Sequence, residues 1–370
     1  YEGAGDEVKV VTTKPKFVPG SMAAEFKQIL KAFALAETKS IDPTELVKII
    51  RTHPLGEEFC DGGQHDCQEI MRVLMDSLHE DLNRARKEQA GQAGDPDEDG
   101  ISEREKADRA WRRYLERDHS PITDLFCGQL QSSITCHKCE TRCTMYEPFW
   151  DLSIPITKES MNKKGLSAWF GSGEPSLEDC LRAFTSDEIL SGDEGYMCDT
   201  CKEVTTATKR LRIHRFPNTL IVHMKRFKCT MSSREKINRF VQYPATDLRL
   251  HEFSTAESGC KKGGATYDLV GQCLHSGTML GGHYTSACRV EDSQGGNPVW
   301  QLFNDDKVNK LHVSQLISSS AYILFYSLRP EEAPGSGKKE KKKGKARKGE
   351  DKATAVMATT REEEQKGSGG

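Results

Sequence analysis

Gly281-Gly282-His283-Tyr284 is followed, one apolar run later, by Trp300-Gln301-Leu302-Phe303-Asn304-Asp305-Asp306. A histidine with an amide and carboxylates nearby is the base-and-orienter half of a nucleophilic triad, in which the imidazole moves protons and its partner fixes the tautomer. Glycines ahead of the imidazole let a substrate backbone pass close to it. If Trp300 to Phe303 forms a strand, Asn304 at its end is placed to accept the Nδ1 proton of a histidine on a neighbouring strand. A plainer reading stands beside this one. Asn and Asp are favoured in turns, and most of the eleven histidines must be ordinary core or surface residues. Spacing alone leaves both readings open. A nucleophile is not evident, because none of the thirteen cysteines sits in an obvious nucleophile setting. The chain opens on Tyr1 rather than methionine, and the first step of such an enzyme is expected to reside in a segment ahead of it.

Cys136-His137-Lys138-Cys139 and Cys198-Asp199-Thr200-Cys201 form two Cys-x-x-Cys knuckles with residues 140–197 between them. Two residues between thiols let one turn present both sulfurs to a zinc ion at about 2.3 Å, and four thiolates close a tetrahedral shell with no open position. The implied site is structural, since hairpins that bury little apolar surface gain most of their order from the metal. The competing reading is one accidental knuckle and one redox Cys-x-x-Cys. Two knuckles, each in a polar turn between expected strands, favour zinc, and His137 then has no ligand role. The other nine cysteines (Cys60, Cys67, Cys127, Cys143, Cys180, Cys229, Cys260, Cys273 and Cys288) read as small buried hydrophobes. A secreted disulfide scaffold would be shorter and denser in cysteine. An intracellular location, cytoplasmic or nuclear, is therefore expected.

Several elements must position these groups. At 370 residues the chain has room for one large core or two modest ones. A net charge of −3 argues neither for nor against nucleic acid, and no apolar run approaches the roughly 18 residues of a membrane span. Residues 1–20 read as a loop or severed connection. Phe26, Ile29, Leu30 and Phe33 fall at helical spacing. Asp42-Pro43 has the form of an N-cap and first-turn proline ahead of a face made by Leu46, Val47 and Ile50. A third helix is expected from near Gln64, with Cys67, Ile70, Met71, Leu74 and Leu78 on its stripe. A polar insertion over about 85–108, rich in acids, Gly and Pro, should be solvated. A further helix carries Ala110, Trp111, Tyr114 and Leu115. From Pro121 the texture changes to short β runs such as 220–224, 267–270 and 321–326, interrupted by a helix that Ser176-Leu177-Glu178-Asp179 opens with a capping box. Beyond 328 a disordered tail is expected, holding eight Lys/Arg against one Glu between Lys338 and Lys348. That run reads as a solvated tail or, alternatively, a nuclear address or weak nucleic-acid contact.

Several segments, taken in order, resemble the catalytic domain of ubiquitin-specific proteases, a family of papain-like cysteine isopeptidases. Gln64-His65-Asp66-Cys67-Gln68-Glu69 is similar to the family's Gln-rich box at the head of a helix. Asp124-Leu125-Phe126-Cys127-Gly128-Gln129-Leu130 leads into the first knuckle as it does in the family. Pro148 to Pro155 and Leu220 to Phe227 resemble further landmarks, and Tyr267 to Tyr284 with Trp300 to Val308 resembles the His box. The resemblance covers roughly residues 22–328. It implies an α+β papain-like domain over 21–328, with a helical thumb, a β-rich palm and zinc-bearing fingers over about 131–215. The family's catalytic cysteine lies in an N-terminal Asn/Gly-rich box that has no counterpart here; Cys60 and Cys67 fall beside and inside the Gln box instead.

Carried over, His283 resembles the general base and Asn304 the third triad member, with Asp305 able to assist. Gln64, Asp66 and Glu69 resemble the acidic side of the channel for ubiquitin's tail, although acids there also offset a helix dipole. Phe227 and Tyr284 resemble channel walls, with ordinary aromatic core as the alternative. The implied function is a deubiquitinase acting on ubiquitin and ubiquitinated proteins, expected to be a monomer, with its nucleophile upstream. The rivals are a ubiquitin-holding pseudo-protease or scaffold, and a zinc-ribbon protein whose basic tail meets nucleic acid.

Overall fold

The computed structural model describes residues 20–330 apart from 36–39, 55, 86–99, 157–173, 230–233, 259–263 and 292–296. The expected opening loop, most of the Lys-rich tail and the centre of the expected insertion lie outside the described residues.

The front of the chain is helical: α1 (Met22–Leu35), α2 (Thr44–Thr52) and α3 (Cys67–Leu82). In α1 the buried residues are Met22 and Ala23, whereas Leu30 and Phe33 are 54% and 66% exposed. Helical spacing identified the helix but not which part is covered. Its first turn is the anchored one, because Asp81 of α3 accepts the Ala23 N–H at 2.9 Å. α2 starts one residue later than expected, with Asp42 Oδ1 accepting the Thr44 N–H at 2.9 Å. Its covered face is Leu46, Ile49 and Ile50, and Val47 is exposed. Asp66 caps α3 by accepting the Gln68 N–H at 2.7 Å. Met71, Leu74, Met75 and Leu78 then meet Ile221, Tyr322 and Ile323 in a core layer between thumb and palm.

α4 (Glu103–Arg117) begins inside the stretch read as a solvated insertion. Ala107 is fully buried, and its carbonyl accepts from the Gln129 amide at 3.1 Å. The acids that suggested solvent, Glu103 and Glu105, occupy the first helical turn, where they offset the helix dipole. α5 (Pro121–Phe126) follows where short β runs were expected to begin; Ser120 caps it and proline at its start favours the helical turn.

Two larger sheets and two short two-stranded ribbons form the rest of the described residues. The finger sheet comprises β1 (Gly128–Cys136), β2 (Arg142–Phe149), and, after β3 (Leu152–Pro155) and α6 (Leu177–Phe184), β4 (Glu188–Leu190). It is completed beyond β5 (Tyr196–Cys198) and β6 (Glu203–Thr205) by β7 (Ala207–Arg215). The order is β2-β1-β7-β4, with β5 and β6 paired as a separate ribbon. α6 opens with the expected capping box, Ser176 and Asp179 exchanging hydrogen bonds. The palm takes β8 (Thr219–Lys225), and after the β9–β10 ribbon (Phe227–Cys229, Arg234–Lys236) and β11 (Leu248–Arg249), the long strand β12 (Thr266–Gly277). β13 (Gly282–Val290), β14 (Val299–Asn304), β15 (Lys307–Leu311) and β16 (Ala321–Leu328) follow. Its order is β15-β14-β13-β12-β16-β8-β3, antiparallel except for β3 against β8. Leu220, Val222, Leu269, Leu324 and Tyr326 sit in the larger core beneath it. The mixture of helices and sheets is the expected α+β class.

Candidate active site and metal site

His283 is the second residue of β13, which pairs with β14 so that Ser286 faces Phe303. Continuing that register places Asn304 beside the end of β13, on the side of His283. His283 Nε2 lies 2.7 Å from Asn304 Oδ1 and 3.7 Å from Asp305 Oδ2. The expectation that Nδ1 would face Asn304 is therefore corrected. With the amide oxygen as acceptor, Nε2 carries the proton and Nδ1 keeps its lone pair. The turn reading also applies to the same residues. Asn304 faces Lys307, and Asp305 takes φ 49° in the two-residue turn between β14 and β15, a left-handed conformation that Asp tolerates better than most residues. One tight hairpin thus serves both purposes. Among the described residues, the polar partners of the His283 imidazole are Asn304 and Asp305.

The two glycines ahead of His283 differ. A Cβ on Gly282 would lie 2.1 Å from His275 Nε2, so its bareness serves internal packing rather than substrate approach. Gly281 faces open space. The Gly282 N–H donates to Gln64 Oε1 at 3.2 Å, joining the Gln box to the His box across 218 positions of sequence.

A cavity of about 330 Å³ opens at this junction, lined by Gln64, Asp66, Glu69, Phe227 and Tyr284, with His275 between the two aromatics. All five residues expected along a channel therefore share one cleft. Asp66 has two roles, since one oxygen caps α3 and the other accepts from the Tyr322 hydroxyl. Burial raises the carboxyl of Glu69 above its ordinary range, with Asp66 and Glu58 adding repulsion. His275 contacts Phe227 edge-on at 5.1 Å between ring centroids and Tyr284 at 4.7 Å. Burial lowers its pKa, which favours the neutral ring. His275, Tyr322 and Cys273 were missed from sequence. The available signal was strand alternation, which sets Cys273 and His275 on one face of β12.

The four knuckle cysteines also converge. Their sulfurs all lie within 4.8 Å of one another, with Cys136–Cys201 at 3.9 Å and Cys139–Cys198 at 3.6 Å. Tetrahedral bonds of about 2.3 Å imply sulfur separations of about 3.8 Å, so the thiols fit a zinc-sized ion. The knuckles share a local geometry. Glu140 N–H returns to Cys136 O at 3.0 Å, and Lys202 N–H to Cys198 O at 2.7 Å. Glu140 and Lys202 are both left-handed, at φ 59° and 57°. The Thr205 hydroxyl lowers the Cys136 thiol to about 6, whereas burial raises Cys201 to about 12. Thiols this close resist joint ionisation unless a cation neutralises them. His137 turns away to Thr208 at 2.7 Å.

An amide-held imidazole at a helix–sheet cleft, beside fingers clipped by four thiols, is the layout of a papain-like cysteine peptidase. A family model described as ubiquitin carboxyl-terminal hydrolase matches residues 5–326, and the chain belongs to that family. It is 38% identical over 309 residues to ubiquitin carboxyl-terminal hydrolase 2 of Gallus gallus, covering 83% of this chain and 80% of that protein. It is 36% identical to the Homo sapiens protein of the same name, covering 83% of this chain and 47% of that protein. The chain thus spans about half the length of its human relative. Among solved structures, the SAGA DUB module of Ubp8, Sgf11, Sus1 and Sgf73 bound to monoubiquitin is similar at a TM-score of 0.60. That likeness, at 22% identity over 84% of this chain and 60% of the other, shows the shared fold. Among the described residues, no helix is long and apolar enough to cross a membrane.

Proposed function

We propose that this chain carries the base, orienter and ubiquitin-tail channel of a deubiquitinating thiol hydrolase that cleaves after the C-terminal glycine of ubiquitin. The observation that carries the reading is the junction of two distant motifs. The His283–Asn304 pair stands beside a cleft lined by Asp66, Glu69, Phe227 and Tyr284. An extended chain ending in two glycines and bearing basic residues suits such a cleft through its carboxylates.

In this reading His283 Nδ1 takes the proton of the attacking thiol, and Asn304 holds the resulting imidazolium through Nε2–H. The thiolate adds to the glycine carbonyl carbon. His283 then returns the proton to the departing lysine amine, leaving a thioester that water hydrolyses with the same imidazole as base. A neutral amide offers less charge stabilisation to an imidazolium than a carboxylate does, and Asp305 at 3.7 Å supplies part of the difference. Among the described residues, no thiol is a partner of the His283 imidazole. Cys136, Cys139, Cys198 and Cys201 would hold a structural zinc that gives the fingers their order for gripping ubiquitin's body. The protein would act on ubiquitinated proteins as a monomer, in the cytoplasm or nucleus.

The test uses ubiquitin bearing a C-terminal thiol-reactive electrophile and the full-length protein. A covalent adduct that His283→Ala abolishes is expected. Measurable ubiquitin binding without an adduct would sink the hydrolase and favour a ubiquitin-holding pseudo-protease. That second reading draws on the absence of a thiol among the partners of His283 in the described residues.

A further inference from the structure

We propose that Cys67 and Cys273 are an oxidisable pair that closes to a disulfide and clamps the thumb helix α3 to the palm strand β12. Their sulfurs stand 3.4 Å apart although the residues are 206 positions apart in sequence. Cys67 is the first residue of α3, and Cys273 lies within β12, opposite Ile323 of β16 and Ser286 of β13. Outside the four-thiol finger cluster, this is the sulfur–sulfur contact found among the described residues. Forming a bond of about 2.05 Å requires each sulfur to move by only about 0.7 Å. Both side chains are partly exposed, unlike the buried Cys127 and Cys180, so a small oxidant can reach them.

The chemistry follows from the environment of each thiol. The two thiols share one S–H···S contact in which either sulfur can donate; the accepting thiol is lowered by it, and the donor is raised by it and by burial. With Cys67 as the donor, Cys273 is the first thiolate. It attacks one oxygen of hydrogen peroxide: an S–O bond forms, the O–O bond breaks, and the departing hydroxide takes a proton to leave as water. The product is a sulfenic acid on Cys273. The Cys67 sulfur then attacks the sulfenic sulfur, forming S–S as the S–O bond breaks. The released hydroxide combines with the Cys67 proton as a second water. In sum, two thiols and one peroxide give one disulfide and two waters, and a dithiol reductant reverses the bond.

The clamp sits directly behind the cleft. The Cys67 N–H donates to the Tyr284 hydroxyl at 3.4 Å, and Asp66 precedes Cys67 in the chain. Oxidation would hold the α3 N-terminus and the Tyr284 wall at fixed separation. The proposal does not depend on the identity of the ligand that enters the cleft.

The test treats the metal-loaded full chain with one to a few equivalents of hydrogen peroxide, blocks remaining thiols with N-ethylmaleimide, and maps peptides without reduction. The expected result is a peptide pair joined through Cys67 and Cys273, lost on dithiothreitol treatment and absent from Cys67→Ser and Cys273→Ser. The unfolding temperature should rise by at least about 3 °C on oxidation and fall back on reduction, because the bridge closes a long loop. Should either serine variant fold poorly, the wild-type peptide map still decides the matter. Both thiols recovered as maleimide adducts, stable sulfinic acid without cross-link, or a cross-link with unchanged unfolding temperature would overturn the clamp.

Discussion

The fingers and the palm each bring two short sequence segments together to make a site, but by different forces. In the fingers, β2 is exposed along most of its length, and β5 and β6 have three residues each. Met145, Ile189, Met197 and Val204 are more than half exposed there. Little apolar burial holds this region, and its four thiols supply the missing link only when a cation joins them. The palm is the opposite case. His283 and Asn304 ride on strands whose register rests on a core of fully buried residues, including Leu220, Leu248, Ala287 and Leu324. A site that needs a cation to join its thiols and a site set by strand register should therefore fail separately.

The largest expected effect tests that separation. Removing metal with a chelator, or substituting Cys139→Ser, should cost the fingers a stabilisation on the order of 10 kcal/mol. Amide hydrogen exchange over β1, β2 and β5 to β7 should rise toward the unfolded rate while β12 and β16 stay protected. Simultaneous loss in the palm would break the comparison. Next comes His283→Ala, which in the active protein should lower kcat by about 10³-fold or more. The side chain is 47% exposed, so a calorimetric midpoint within about 2 °C of wild type is expected. A large drop would mean that the register depends on the imidazole.

Asn304→Ala should be milder, on the order of 10²-fold in kcat, whereas Asn304→Asp should retain or raise the rate; a pH–rate profile distinguishes lost orientation from lost basicity. Asp66→Ala should remove about 1 kcal/mol of stability through the lost cap. Asp66→Asn should keep most of the cap and still weaken binding of a basic tail, which titration with ubiquitin would reveal.

The smallest effect concerns pH. Glu69 has a raised pKa, led by burial, so the folded protein binds more protons than the unfolded chain just above the ordinary carboxylate range. Stability should fall slightly as pH rises through that window. Affinity for a basic tail should instead increase there, as Glu69 becomes charged. Glu69→Gln should flatten both trends, and calorimetry at several pH values would detect either one persisting.

Much of the site was legible because its signals are local. The knuckles and the Ser176 box are each complete within a few residues. The pairing of His283 with Asn304 was legible as a possibility, and the hairpin turn and the orienting amide proved compatible. Other features escaped. α4 was partly hidden because acids suited to a helix N-terminus resemble those of a solvated loop. Val47, Leu30 and Phe33 have core-like spacing yet are exposed, since spacing fixes a helix face but not its partner. Gly282 looked like room for substrate and is instead room for His275.

By itself the sequence determined α1 to α3 and α6 in outline, the Ser176 capping box, the two thiol knuckles and the residue types of the base and its orienter, because turn and helix chemistry is set by neighbours within about four positions. Tertiary structure alone decided which imidazole nitrogen meets Asn304, which residues gather around the cleft, and that Cys67 faces Cys273. Each of these depends on strand register and helix docking across hundreds of positions, where a slip of one residue would turn every side chain to the other face.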